Sequence, residues 1–492
     1  MRIPLDRQSE VPLYQQIGSY LRQAILSGNL LADTRLPACR QLARDLGVNR
    51  ITVENAYSEL ESEGLVSSRM GSGTYILPQN HFALIQKNDP DALWPLWQQS
   101  VKDRDTESKS SMVEEMLRAS RQPHPINFSS GVSDSRQFPA DEFRKVLQAV
   151  MRRDDAAALD YGEGSGYAPL REGIAHILAS QGLQTGPENI LITAGSQQAI
   201  FLASQVLLKP DDVVLVENPT YSIAIDLFRR LGFQVIGIPM DGQGMQVEKL
   251  ENLLQQYHPK LIYTIPNFHN PTGTCLSSPR RRQMIVLADR YNVPILEDDF
   301  VGDLRYEGHS QPSLKALDPG GQVIYVSTFS KMLMPGLRIG FIVANGPVYD
   351  SLVNFKHLSD LATSTLIQRT LESYVTVGRY QAYLRRSCRI FHKRRDAMVE
   401  AIEHYLPPDV SYDTPKGGLF IWLRLPDGLF ADELLPIACE AGVAFAAGNC
   451  FFTGDVGGRE WLRLNFVSQP AEDIEEGIKR LGLAVHRLKG RK

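Results

Sequence analysis

Along the first sixty residues, apolar positions recur at helical spacing. Leu13, Ile17, Tyr20, Leu21, Ala24 and Ile25 share one face, which predicts an amphipathic helix over 12–27 that Gly28 stops. A second short helix follows Leu36-Pro37, carries Leu42, Ala43 and Leu46, and ends at Gly47. A third starts at Asn49, a good N-cap, and buries Val53, Ala56, Tyr57 and Leu60 while Arg50, Thr52 and Asn55 face outward. Beyond Gly64 come two short strands, 65–68 and 74–77. They flank Arg69-Met70-Gly71-Ser72-Gly73, a hairpin tip whose glycines permit positive φ and close approach to a phosphate backbone. Two helices about a tight glycine turn make a helix-turn-helix, and the first turn of the second helix is the part that enters a major groove.

The pattern then changes twice. Residues 79–125 are mixed and polar, with Asp103–Ser111 at their centre and Pro123 and Pro125 near their end; they predict a linker holding one short helix, Met112–Ser120. From 126 onward, short apolar runs alternate with helical segments, the runs being 190–193, 213–216, 261–265, 294–297, 323–327 and 339–344. Strands spaced by helices predict crossover units and an α/β domain with a mostly parallel sheet. From about 375 the chain carries long charged helices and then a smaller mixed region. The expected division is therefore 1–78, a linker 79–125, and a large unit 126–492 whose small part begins near 375.

Composition adds limits. Of 492 residues, 43% are apolar and 22% charged, which excludes a disordered chain and supplies a large core. No apolar run approaches the ~18 residues that span a bilayer, and the charged start Met1–Arg7 offers no signal-peptide core. Five scattered cysteines form neither a disulfide framework nor a zinc site, which suits a cytoplasmic protein with no structural metal. The net charge of −4 argues against nucleic acid as a partner, yet it hides an asymmetry. Residues 1–78 have no lysine and hold eight arginines against eight acids. The acids gather behind the third helix, while Arg35, Arg40, Arg44 and Arg50 surround the helix-turn-helix. Binding depends on charge at the contacting face, not on the sum. From pattern alone a helical cap with solvated arginines remains an alternative.

The chemical signal in the large unit is Ser327-Thr328-Phe329-Ser330-Lys331, with Arg338 seven residues on. A lysine just past a strand, with hydroxyls before it and an arginine after it, suits a Schiff base beside a phosphate cup. Alone it equally describes a solvated surface lysine. Three further pieces stand in order with it. Ile190–Ala199 is a strand, a small-residue turn containing Gly195-Ser196-Gln197, and a helix start that suits a phosphate. Asn270-Pro271-Thr272-Gly273 supplies an amide, and Glu297-Asp298-Asp299 an acid that can keep a pyridine nitrogen protonated.

Leu36–Ala43, Gly47–Val53, Glu63-Gly64-Leu65 and Gly71–Thr74 together resemble the GntR-type winged helix over residues 10–77. The resemblance implies double-stranded DNA as partner, contacted by Arg35, Arg40, Arg44, Arg50, Thr52 and Gly73. Ala38-Cys39 departs from it, since small hydroxyl residues are common there. Residues 126–485 resemble fold-type I pyridoxal-phosphate enzymes of the aspartate aminotransferase superfamily. That resemblance implies pyridoxal 5'-phosphate on Lys331, with Asp298 at the pyridine nitrogen, Asn270 at the 3-hydroxyl and Tyr221 stacked on the ring. Ser196, Gln197, Thr328, Ser330 and Arg338 would take the phosphate, Tyr161 would reach the phosphate of a second subunit, and Arg463 would clamp a substrate carboxylate. The tyrosine that the superfamily usually places two or three residues past the aspartate is absent; Phe300 and Val301 stand there. The two parts in one chain resemble the MocR subfamily of bacterial transcriptional regulators. This implies a homodimer that senses pyridoxal phosphate or a small amino compound, with little or no transaminase turnover. A working aminotransferase with an accessory DNA-binding arm is the alternative, and a cofactor reservoir with a vestigial arm a third.

Overall fold

The computed structural model describes residues 3–7, 9, 11–69, 73–77, 126–454 and 457–490. The predicted linker 79–125, its short helix Met112–Ser120 and the hairpin tip 70–72 lie outside the described residues. The chain divides into two compact units, Met1–Ser110 and Ser111–Lys492.

In the first unit, α1 (Leu13–Leu26), α2 (Cys39–Leu46) and α3 (Arg50–Ser62) form where the apolar spacing places them. Gly47 ends α2 at φ 62°, a left-handed position that glycine adopts at least cost. Asn49 then caps α3 by accepting from the Ile51 N–H at 3.1 Å. Ile17, Leu21, Leu42, Val53, Tyr57 and Leu60 meet in one core, and the buried Tyr57 hydroxyl donates to the Pro37 carbonyl at 2.8 Å. β1 (Val66–Arg69) and β2 (Gly73–Ile76) pair antiparallel, with Val66 opposite Ile76.

Among the described residues the second unit opens with β3 (Ile126–Asn127). Its main sheet contains β4 (Ile190–Thr193), β5 (Val213–Asn218), β6 (Gln234–Asp241), β7 (Gly244–Met245), β8 (Leu261–Thr264), β9 (Ile295–Asp298), β10 (Val323–Thr328) and β11 (Gly340–Val343). Their order is β4-β11-β10-β9-β8-β5-β6-β7, and the β6-β5-β8-β9-β10 run is parallel throughout. Alternate residues feed two separate cores. Val214 and Val216 enter one and Leu215 the other; Tyr263 and Leu296 enter one, Ile262 and Ile295 the other. Both faces are therefore covered by helices, which is why these strands read as continuous apolar runs.

Two strands run against the parallel expectation: β7 is antiparallel to β6, and β11 is the other. β11 is antiparallel to both β10 and β4. Residues 329–339 are too few for a crossover helix and form a short helix Phe329–Met332 and a turn instead. That short helix carries Lys331. The small C-terminal part holds β12 (Ser411–Tyr412), β13 (Phe420–Arg424), β15 (Ala446–Ala447) and β16 (Trp461–Asn465) in an antiparallel sheet, order β12-β13-β16-β15. β14 (Val443–Ala444) pairs instead with β3, so the first residues of the large unit belong to its last sheet region. Periodicity gave no sign of this.

Candidate functional site

The chemistry-bearing residues converge past the C-terminal ends of the parallel strands. β10 ends at Thr328, whose hydroxyl accepts from the Ser330 N–H at 3.1 Å and donates to the Ile339 carbonyl at 3.0 Å. This locks the turn that presents Lys331. Burial, with Arg463 and Arg338 nearby, pushes the Lys331 amine down from 10.5 to about 8 against the attraction of Asp298. Roughly one molecule in ten then carries the free amine at neutral pH.

The three acids at the end of β9 have separate fates. Glu297 accepts from the Leu314 and Lys315 N–H groups, each at 2.8 Å, and so caps the helix Leu314–Leu317. Asp299 accepts from Asn267 at 3.1 Å and from the Tyr325 hydroxyl at 2.9 Å. Asp298 accepts from the Tyr263 hydroxyl at 2.9 Å through Oδ2, while its buried Oδ1 has no partner. Burial pushes the Asp298 carboxyl up to about 7; Asp299 and Glu217 add to this, and Tyr263 and Lys331 oppose it. A buried carboxylate oxygen without a donor is costly unless a ligand supplies one.

Arg463, on β16, donates to Asn270 Oδ1 at 2.7 Å and to the Ser129 carbonyl at 2.6 Å. Its guanidinium lies 4.1 Å over the Phe420 ring and 4.9 Å from that of Phe451, and its Nε is unpartnered. Burial lowers it to about 10, so it stays charged at neutral pH. The Tyr221 hydroxyl donates to Gln197 Oε1 at 3.4 Å, tying the start of helix Ser222–Arg230 to the start of helix Ser196–Leu207. Arg338 donates to Ser330 Oγ at 3.3 Å and to the Ala194 carbonyl at 2.7 Å. Gly195 has φ +96°, and a Cβ there would sit 2.7 Å from the Arg338 guanidinium. Only a bare backbone lets the first turn of helix Ser196–Leu207 approach that arginine.

Lys331, Asp298, Asn270, Tyr221, Ser196, Gln197, Thr328, Ser330, Arg338 and Arg463 thus gather at one site. Tyr161 does not join them; it is 83% exposed on the loop before Gly162. Sequence reading missed Tyr263, the loop at Gly131, where a Cβ would come 3.8 Å from Lys331 Nζ, and the buried pair Glu217–His269 at 3.2 Å. A ligand with an aldehyde, a basic ring nitrogen and a phosphate fits what is present: an amine of lowered basicity, an acid oxygen lacking a donor, and a helix N-terminus flanked by hydroxyls and an arginine.

In the first unit Arg35, Arg40, Arg44 and Arg50 are exposed, and Thr52 and Gly73 half-buried. Arg50 pairs with Glu54 at 2.5 Å, whereas among the described residues Arg35, Arg40 and Arg44 have no acid partner. Arg22 draws in Glu63, and Glu61 is held by Ser68, so acids at the far end of α3 are spent internally. Arg35 lies over the Gly73 backbone, where a Cβ would fall 2.6 Å from its Nε.

The chain matches the family of aminotransferases class I and II over residues 123–481 and that of bacterial regulatory proteins, gntR family, over residues 13–76. It belongs to the aminotransferase class I and II family and carries a gntR-family domain ahead of that unit. An uncharacterized HTH-type transcriptional regulator of Bacillus subtilis, YisV, is 33% identical over 487 residues, 98% of either chain. The probable rhizopine catabolism regulatory protein MocR of Rhizobium meliloti is 30% identical over 446 residues, 90% of this chain and 87% of that one. The pairing of the two families in one chain is that of the MocR subfamily. Among solved structures, the α-aminoadipate aminotransferase LysN of Thermus thermophilus, complexed with N-(5'-phosphopyridoxyl)-L-leucine, superimposes with a TM-score of 0.73 at 34% identity, covering 80% of this chain and 100% of LysN. No helix among the described residues is long and apolar enough to cross a membrane.

Proposed function

We propose that the chain is a cytoplasmic transcriptional regulator that binds specific double-stranded DNA through its winged helix and senses pyridoxal phosphate, or an amino compound reacting with it, at Lys331. The observation that carries this reading is the presence, in one chain, of a gntR-family domain with three arginines that have no acid partner among the described residues and a site that keeps both Lys331 and the open oxygen of Asp298. Residues 1–78 would read DNA through Arg35, Arg40, Arg44, Arg50, Thr52 and Gly73. Residues 126–492 would sense, and 79–125 would join the two.

When bound, the cofactor supplies an electrophilic carbon that an amine can attack. The chain's own residues do the rest. Lys331 offers an amine already short of its usual basicity. Asp298 Oδ1 would accept from the ring nitrogen and keep it protonated, and Asn270 and Tyr221 would hold the ring oxygen and the ring face. Ser196, Gln197, Thr328 and Ser330 would hold the phosphate, whose charge Arg338 would partly offset. Arg463 exchanges its Asn270 and Ser129 contacts for an effector carboxylate. Tyr161 serves the site of a second copy. Leu159, 65% exposed, lines one cleft with Tyr161, and Leu361, 51% exposed, directly precedes Ala362 of that cleft; exposed apolar residues there favour a homodimer. Regulation requires an effector whose affinity differs between two arrangements of that dimer.

The alternative is an aminotransferase with an accessory arm, which the intact Lys331–Asp298–Arg463 set favours. Phe300 and Val301 argue against efficient turnover, because neither offers a hydroxyl to tune the ring. Footprinting on DNA flanking the protein's own gene, with and without pyridoxal phosphate and a panel of amines, tests the regulator reading. We expect a protected site that is lost in Arg50→Ala and altered by cofactor or amine. No protection at all would overturn the proposal, and transamination at ordinary enzyme rates with a common amino acid would favour the alternative.

A further inference from the structure

Strand register decides which acid can serve a ligand. Tyr263 of β8 stands opposite Leu296 of β9. Side chains alternate along a strand, so Asp298, two residues past Leu296, shares the face of Tyr263. The tyrosine spans the diagonal and donates to Asp298 Oδ2 at 2.9 Å. On the other side, Tyr325 of β10 stands opposite Glu297, and its hydroxyl reaches Asp299 along the equivalent diagonal at 2.9 Å. Two buried tyrosines thus bracket two consecutive acids on opposite faces. The acids differ in what remains: Asn267 takes the second oxygen of Asp299, while Oδ1 of Asp298 is left open.

We propose that Tyr263 is a positioning residue for the cofactor site: its hydroxyl occupies one oxygen of Asp298, turns the other toward the ligand and holds the carboxylate charged. The inference rests on the reading that the site takes pyridoxal phosphate. A phenol is suited to the task because it is neutral. A cation at this place would satisfy Asp298 by itself and weaken its pull on a ring nitrogen, whereas a hydroxyl donates one hydrogen bond and adds no charge. Charged and titratable groups facing Asp298 are Lys331 from the β10 turn, Glu217 from β5, Asp299 from β9 itself, and the hydroxyls of Tyr221 and Tyr263. The two acids favour protonation of Asp298, and Tyr263 and Lys331 oppose it. Deleting the hydroxyl therefore moves Asp298 toward its protonated form, in which it no longer draws a proton to the ring.

The test compares full-length wild type, Tyr263→Phe, Tyr325→Phe, Asp298→Asn and Tyr263→Phe/Asp298→Asn. Pyridoxal 5'-phosphate retention is measured by equilibrium dialysis, and the spectrum of the bound cofactor is followed from pH 5 to 9. Phenylalanine keeps the ring of Tyr263 and its edge contact with Phe228 at 5.6 Å, so the melting temperature of the cofactor-free protein serves as the folding control. We expect Tyr263→Phe to bind about tenfold more weakly, the effect of one charge-assisted hydrogen bond. The acid limb of its spectral titration should move to higher pH. Tyr325→Phe should bind as wild type does, and the double variant no worse than Asp298→Asn, since the tyrosine acts only through the acid. Equal affinity and an unmoved acid limb in Tyr263→Phe, or a double variant weaker than Asp298→Asn, would overturn the assignment while leaving the cofactor reading intact. A wild type that retains no cofactor would overturn both.

Discussion

Replacing Lys331 by methionine should stabilise the cofactor-free protein while abolishing its chemistry. The amine is mostly buried beside Arg463 and Arg338, and its pKa falls from 10.5 to about 8. At roughly 1.4 kcal/mol per unit, this costs the folded state about 3 kcal/mol at pH 7. Methionine has nearly the same length and no charge, so that cost disappears. Part of the gain is offset because Lys331 also steadies the Asp298 carboxylate. About 2 kcal/mol should remain. The sign with pH follows from linkage. The unfolded chain binds the lysine proton more tightly than the folded one, so wild-type stability rises between pH 8 and pH 10.5 and the gap to Lys331→Met closes. Urea unfolding of the cofactor-free proteins at pH 7 and pH 10, read by near-ultraviolet circular dichroism of the stacked pair Trp422–Trp461, measures both numbers. A variant less stable than wild type at pH 7, or a gap unchanged at pH 10, would refute the claim that Lys331 is held against its preferred charge.

Two further outcomes are expected. Gly195→Ala places a Cβ 2.7 Å from the Arg338 guanidinium at a positive φ, so pyridoxal phosphate retention measured by dialysis should fall at least about tenfold. Asp134 accepts from Arg136 and from the buried Arg394, each at 2.8 Å, which holds its carboxyl below the usual range although burial opposes them. Asp134→Asn leaves Arg394 uncompensated and should cost about 3 kcal/mol at neutral pH. Because the folded-state pKa is depressed, wild type loses that advantage as pH falls through the carboxylate range, so the denaturation curves of wild type and variant, apart at pH 7, should draw together at pH 3.

The elements that were legible in the sequence share a cause. Strands buried on both faces are unbroken apolar runs, so β4, β5, β8, β9 and β10 could be located to within a residue or two, and Lys331, Asp298 and Asn270 stand out as polar groups just past their ends. What stayed hidden depends on pairing rather than periodicity. The reversal of β11 follows from loop length, and β6 was passed over because its exposed and half-buried residues break the apolar pattern. Tyr263 sits inside an apolar run and reads as core filler; its partner is 35 residues away, across a register that composition does not encode. Of three adjacent acids, only the bonds made by Glu297 and Asp299 reveal that Asp298 is the one with an oxygen to spare.

The pairing of β3 with β14 has a mechanical side. The backbone N–H groups of Ile126 and Phe128 donate to the carbonyls of Gly442 and Ala444, in the C-terminal part that also bears Arg463. The first described residues of the large unit are therefore tied to the region that holds this arginine. A displacement of that region carries residues 126–128 with it, because the backbone bonds that hold them belong to the same strand pair.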